Sequence, residues 1–215
     1  DDYTEAVAAI ESATAGDTVL IASGLYPCVS ASMSTGVTIC SQTGDPSSVE
    51  LRSDEESSVL TAYRVEDVLV RGVTLSRGKS PTYGHQGGGL YCRESEIALV
   101  DVTFLDNESS GLACYDSHAY LEHVYFFSNH ARSYGGGLHA TQSDIELVDC
   151  IFADNVVGHM EATQTTLHYL GEGGGCCLRN SSTLTAEGVE FTDNLAWQGG
   201  GGLYLTQTRG SSVSS

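Results

Sequence analysis

Leu112-Ala-Cys-Tyr-Asp-Ser-His-Ala-Tyr-Leu-Glu-His-Val-Tyr-Phe-Phe-Ser-Asn129 is the stretch that decides the architecture, because three other stretches align with it without gaps. They run from Leu90 to Asn107, from Leu138 to Asn155 and from Cys177 to Asn194. With the first residue of each counted as zero, offset 7 holds Ile97, Ala119, Ile145 and Leu184, and offset 9 holds Leu99, Leu121, Leu147 and Ala186. Offset 12 holds Val102, Val124, Cys150 and Val189. Offset 14 is always Phe (Phe104, Phe126, Phe152, Phe191) and offset 17 always Asn (Asn107, Asn129, Asn155, Asn194). A Ser recurs at offset 5, as Ser95, Ser117, Ser143 and Ser182. Apolar residues two apart, a break, then two apart again describe short strands with one buried face. Such a unit cannot bury that face alone and must stack on copies of itself. The pattern predicts a parallel β-helix.

The spacing between repeats varies at one point only. Asn107 to Leu112 is short, Asn129 to Leu138 longer and Asn155 to Cys177 much longer. Insertions at a fixed point of a repeat fall on one edge of a solenoid, which is often its binding face. Glycine runs recur before offset zero, as Gly87 to Gly89, Gly135 to Gly137, Gly173 to Gly175 and Gly199 to Gly202, while Leu112 follows the single Gly111. Glycine permits close approach between coils that a Cβ would block. No Lys-Ser/Thr follows these runs, which argues against a phosphate-binding loop.

Working backwards, Val68, Val70, Val73 and Leu75 match offsets 7, 9, 12 and 14, with Gly78 in the place of the Asn. Earlier still, Asp17 to Ile21, Val37 to Cys40 and Val49 to Leu51 are short alternating runs. Thr4 to Ala13 differs in kind. Ala6, Val7, Ile10 and Ala13 have helical spacing, Thr4 is placed to cap the start and Gly16 to stop the helix. This predicts a capping helix over 1–16, a β-helix over 17–205 and a tail over 206–215, one domain overall. In the tail, offsets 7 and 9 fall on Gly210 and Ser212, so the solenoid is expected to stop after Leu203 to Leu205, leaving an end open to self-association.

Ala9-Ile10, Ala15 to Val19 and Ser23 to Tyr26 resemble the opening of right-handed β-helix proteins of the pectate-lyase-like superfamily. The paired Gly-Gly-Gly-Leu and Phe-x-x-Asn motifs between Gly87 and Leu205 are similar to the repeats of polymorphic outer-membrane proteins. They differ in carrying Gly where that family prefers Ala, and no C-terminal membrane barrel is visible in this sequence. The resemblance implies an all-β, right-handed parallel β-helix that is secreted or exposed at the cell surface, with adhesive roles. Fold alone does not establish function.

The chain has 215 residues, 25 Gly, 3 Pro and 28 Asp and Glu against 9 Lys and Arg, a net charge of −19. That balance disfavours nucleic acid and anionic membrane surfaces as partners, and favours basic partners and divalent cations. No apolar run is long enough to cross a membrane as a helix. The sequence opens on Asp1 without an apolar leader, so it is expected to be processed or cut from a longer chain.

Of seven cysteines, Cys92 and Cys114 share offset 2 and are expected about 4.8 Å apart in neighbouring coils. That spacing is within reach of a disulfide, although parallel Cβ vectors suit one poorly. Cys28 and Cys40 are a second candidate pair, close enough in sequence to staple the first coils. Cys150 and Cys177 are assigned inward positions as small apolar residues, and the Cys176-Cys177 spacing is no zinc pattern. The Asn at offset 17 is read as a structural ladder, with a left-handed backbone and side-chain hydrogen bonds passed along the stack. Beside it, offset 16 carries Asp106, Ser128, Asp154 and Asp193. A solvated acidic edge is preferred there to a calcium row, and no cofactor is expected.

Two functional classes compete. β-Helix enzymes act on polysaccharides, and Arg93, His139, Glu94 and Asp116 are the residues a lyase or glycosidase would use here. Glu94 and Asp116 share offset 4, yet paired-carboxylate hydrolysis needs a defined separation and one raised pKa, which the sequence does not show. The insertion edge gives the other class. Tyr83, His85, Arg132, Tyr134, His159, His168, Tyr169 and Trp197 combine aromatic faces with hydrogen-bonding groups, as stacking on sugar rings or a protein partner requires. The sequence therefore favours a binding or adhesion scaffold for a polysaccharide or surface protein. A lyase or hydrolase comes second, and a structural filament module third.

Overall fold

The computed structural model describes residues 5–28, 30–54, 56–80, 87–163 and 166–214, and the backbone alone for 159–163 and 166–170. Equivalent strands of successive coils pair in parallel and form three walls around an apolar interior. The first wall stacks Ala31–Ser32, Leu60–Tyr63, Gly87–Arg93, Ser110–Tyr115, Leu138–Thr141, Cys176–Arg179 and Leu203–Thr206. The second contains His118–Glu122, Asp144–Val148 and Thr183–Glu187, and the third Tyr125–Phe127, Ile151–Ala153 and Glu190–Thr192. Val68–Ser76 and Glu96–Leu105 run through the corner between these two walls and join them into one sheet.

The offset pattern is visible as packing. Phe104, Phe126 and Phe152 are wholly buried, with centroids 4.8 and 4.4 Å apart and near-parallel rings. Phe191 continues the stack at 4.9 Å but is half-buried, because the last coil covers it incompletely. Gly137 shows why glycine precedes each repeat: a Cβ there would lie 2.8 Å from the Phe152 ring and 2.7 Å from the carbonyl of Gly175. Val68, Val70, Val73 and Leu75 pair with Ile97, Leu99, Val102 and Phe104, as their spacing predicts.

Polar ladders lie beside the apolar ones. Asn107, Asn129 and Asn155 are buried. Asn129 donates from Nδ2 to Asn155 Oδ1 (2.9 Å) and to the carbonyl of Phe104 (3.1 Å), and its Oδ1 accepts from the backbone and side chain of Asn107. The Ser row works likewise: the N–H groups of Ser95, Ser117 and Ser143 each donate to the next serine's hydroxyl at 3.1 Å. The left-handed residue, however, is the one before the Asn: Asp106, Ser128, Asp154 and Asp193 have φ of 50, 53, 55 and 52°. Short polar residues tolerate that conformation, and it aims the following Asn into the wall instead of around the turn.

Two registers differ from the sequence reading. Leu138 pairs with Cys176, not Cys177, and Ile145 still pairs with Leu184. The extra residue is absorbed in a turn with two left-handed residues, Asn180 and Ser181 (φ 51 and 68°). Cys176 is therefore the inward residue and Cys177 points outward. At the C-terminus the second strand does form: Ser211–Ser214 pairs with Thr183–Glu187, placing Val213 beside Ala186. A turn one residue longer moves Gly210 and Ser212 off the inward positions.

At the other end, Glu5–Ser12 is the expected helix, burying Ala6 and Ile10 against the first coils; Thr4 lies outside the described residues. The long insertion after Asn155 is a two-stranded antiparallel hairpin, His159–Thr163 with Thr166–Leu170.

All seven cysteines are free. Cys28 lies in the core while Cys40 alternates with buried Ile39 and Ser41 and so faces outward, on the other side of the wall. Cys92 and Cys114 are direct partners on parallel strands, so their side chains run side by side and interact as thiols. Burial pushes Cys28 and Cys177 up to about 12 and Cys150 up to about 11. Since the thiolate is the reactive form, iodoacetamide at pH 8 is expected to modify half-exposed Cys40 first and leave the other six until unfolding. Fast reaction of more than one thiol contradicts this packing. Unfolded thiols ionise near 8.5. The native state thus holds more protons above that pH, and stability falls as pH rises from about 9 toward 12.

Candidate functional site

Strand alternation sends every second residue of the first wall outward. In register, these residues form two rows. Thr61, Tyr91, Ala113, His139, Cys177 and Tyr204 make the first, and Tyr63, Arg93, Tyr115, Thr141, Arg179 and Thr206 the second. Neither row contains Asp or Glu, in a chain with 28 of them. The wall instead presents four tyrosines, two arginines and a histidine.

These side chains hold one another. The Tyr115 hydroxyl lies 3.1 Å from His139 Nδ1, its ring edge-on to the imidazole at 5.5 Å. Thr141 Oγ1 lies 3.3 Å from His139 Nε2, so each ring nitrogen has a hydroxyl partner. Burial raises the pKa of the Tyr115 hydroxyl. Tyr91 sits 5.9 Å from Tyr115 and hydrogen-bonds the half-exposed Arg93. At the other end of the wall the Arg179 guanidinium lies 4.0 Å over the Tyr134 ring, and Tyr134 packs on His139 at 5.4 Å. This layer explains how His139 and Cys177 point outward and are yet buried.

Tyr134 and Glu172 enter from the edge, bridged to each other just before their glycine runs. Glu172 brings a carboxylate to the margin of the wall, where its charge raises the Tyr204 hydroxyl. Its Oε2 faces Arg179 Nε at 3.9 Å, and among the described residues neither atom has a hydrogen-bond partner. The arrangement offers ring faces for stacking and fixed donors and acceptors for hydroxyl groups.

Of the predicted enzyme residues, Arg93 and His139 stand on this wall. Glu94 and Asp116 occupy the turn that follows it, with φ of 50 and 48°. Arg64, at 2.8 Å, and then Arg93 hold the Glu94 carboxyl below its usual range. That is the opposite of what a general acid needs. Of the edge residues, Tyr134 joins the wall. The Trp197 ring packs against Gly158, where a Cβ would run into it, and so holds the edge down while remaining 43 % exposed. Arg132 is half-buried. Tyr83 and His85, and the side chains of His159, His168 and Tyr169, lie outside the described residues. Among the described residues, no group of three His, Cys, Asp or Glu is placed to hold a metal.

Glu172 and Arg179 escaped the sequence reading. Counting from the Asn hid them; counting from the glycine triplets finds both, since Gly173 to Gly175 precede Cys176 as Gly135 to Gly137 precede Leu138.

The profile of the family described as "right handed beta helix region" matches residues 88–215, more than half of the chain. The chain belongs to the right-handed β-helix family. A sequence search of curated proteins gave no match. Among solved structures, the β-helix is similar to a protein from Parabacteroides merdae described as a candidate glycosyl hydrolase, at 13 % identity and a TM-score of 0.48. The likeness covers 87 % of this chain and 84 % of that one.

Proposed function

We propose that this β-helix is a carbohydrate-binding scaffold, acting at the cell surface or outside the cell, whose ligand lies on the outward side of the first wall. One observation carries the reading: in a chain of net charge −19, this wall has no carboxylate of its own and collects Tyr63, Tyr91, Tyr115, Tyr204, Arg93, Arg179 and His139. Tyrosine rings give large contact area with little loss of side-chain freedom, and fixed donors orient a hydroxyl-rich ligand. The similarity of the repeats to those of polymorphic outer-membrane proteins supports the surface setting. The wall is preferred to the insertion edge because, of the edge residues described, Trp197 packs against Gly158 and Tyr134 joins the wall by packing on His139.

Binding of soluble oligosaccharides, neutral and uronate, measured by titration calorimetry tests this. Tyr91→Ala and Arg93→Ala remove side chains that lie outside the core, and each is expected to weaken binding roughly tenfold or more, as central interface residues do. Trp197→Ala is expected to leave affinity unchanged. Loss on Trp197→Ala with full binding by the two wall variants would return the site to the edge.

The enzymatic reading keeps one observation in its favour, the presence of Arg93 and His139 on a single wall. The same mixtures, assayed for unsaturated product and for new reducing ends, separate it from binding alone.

A further inference from the structure

A cleft of about 450 Å³ lies in the turn that follows the first wall. Asp116, Gln142, Asn180 and Gln207 line it, one from each of four successive coils, joined by Asp144 and Arg209. Asp116, Gln142, Asn180 and Gln207 each come directly after an outward residue of the second row: Tyr115, Thr141, Arg179 and Thr206. The cleft is therefore continuous with the wall, at the end away from Tyr134 and Glu172. It sits where the register absorbs its extra residue. Asn180 and Ser181 are both left-handed there, and the Ser181 N–H donates to the carbonyl of Gln207 at 2.6 Å.

The chemistry of the lining is narrow. It is mostly polar, with three amide side chains and the Ser181 hydroxyl that both donate and accept, two carboxylates that accept, and one guanidinium that donates. Asp144 already accepts from Thr183 Oγ1 at 2.5 Å, which fixes its orientation. Two carboxylates against one guanidinium repel an anionic group, and Arg209 disfavours a bare cation. A ring carrying several neutral hydroxyls satisfies both kinds of lining group.

We infer that this cleft is a subsite for one neutral sugar unit of a glycan that crosses the first wall along its strands. The inference rests on the carbohydrate reading and adds where the ligand ends and which unit is selected. Asp116 and Asp144 are the specificity-determining residues: they accept hydroxyl hydrogen bonds from a neutral sugar and exclude a uronate.

The test is titration of the ¹⁵N-labelled chain with cellobiose, a neutral disaccharide, and separately with digalacturonate and with calcium chloride. Cellobiose is expected to shift the amides of Gln142, Ser181 and Gln207, and digalacturonate to leave them in place. Asp116→Asn keeps shape and suits the left-handed backbone. It is expected to weaken cellobiose about tenfold, the loss of a charge-assisted hydrogen bond, and to relax the exclusion of digalacturonate. Asp144→Asn, which can still accept from Thr183, is expected to act in the same direction. Shifts at Tyr91 and Arg93 without shifts in the cleft overturn the inference and leave the wall reading standing. Shifts in the cleft alone keep the subsite and overturn the wall. A response to calcium and none to cellobiose overturns the subsite, as does equal binding of both disaccharides by the unaltered chain.

Discussion

Phe126→Ala is expected to cost about 3–5 kcal/mol of unfolding free energy, the usual range for emptying a core Phe site. The ring is fully buried and stacked on both faces, 4.8 Å from Phe104 and 4.4 Å from Phe152. Neither neighbour can collapse into the space, because each is anchored in a strand whose register is fixed by its own partners. Each of the two stacked ring pairs adds about 0.5–1.5 kcal/mol beyond the buried area. Native stability is only about 5–15 kcal/mol, so this one substitution is expected to bring the protein near its limit. Thr103→Ala, on the outward side of the same wall, is expected to change stability by less than about 1 kcal/mol. Urea unfolding followed by circular dichroism compares them, and equal effects would mean the inward register is wrong.

Asn129→Ala is expected to be as damaging for the opposite reason. It takes away little apolar surface. What it removes is the side-chain partner of two buried backbone groups, the Phe104 carbonyl and the Asn107 N–H. Each buried polar group left without a partner costs about 1–3 kcal/mol, giving roughly 2–6 kcal/mol for the pair. Asn129→Asp separates this from a volume effect. The carboxylate keeps the shape and can accept from Asn107, but it cannot donate to Phe104 or Asn155 and places a charge in the wall. It is expected to destabilise at least as much as alanine. A mild effect of the aspartate would show that shape, and not hydrogen bonding, holds the row.

The architecture was legible because its determinants are periodic. Phe at offset 14 and Asn at offset 17 recur in every full repeat, and each is fixed by contact with its own counterpart in the next coil. The site was less legible because its members are not periodic. Tyr134 and Glu172 occupy equivalent places but share no chemistry, and Arg179 was displaced by a residue that Asn180 and Ser181 absorb. Gap-free alignment from the Asn forces such a slip into the strand. The backbone puts it in the turn, since moving a strand by one residue would turn its apolar face to solvent. The disulfides failed on direction: proximity was readable, but side chains of paired parallel strands do not converge.

The Asn row also gives the solenoid a head and a tail. Asn107 donates to Asn129, Asn129 to Asn155 and Asn155 to Asn194, so every Asn-to-Asn bond in the row runs the same way along the axis, while the second hydrogen of each amide returns to a carbonyl of the preceding coil. Coils of this kind are therefore vectorial building blocks. A whole coil duplicated in tandem meets its neighbours donor to acceptor and lengthens the rod without disturbing it. A coil installed in reverse meets donor with donor on one side and acceptor with acceptor on the other. Growth of such a protein by tandem duplication of a coil keeps that polarity, and the wall that carries the tyrosines lengthens with it.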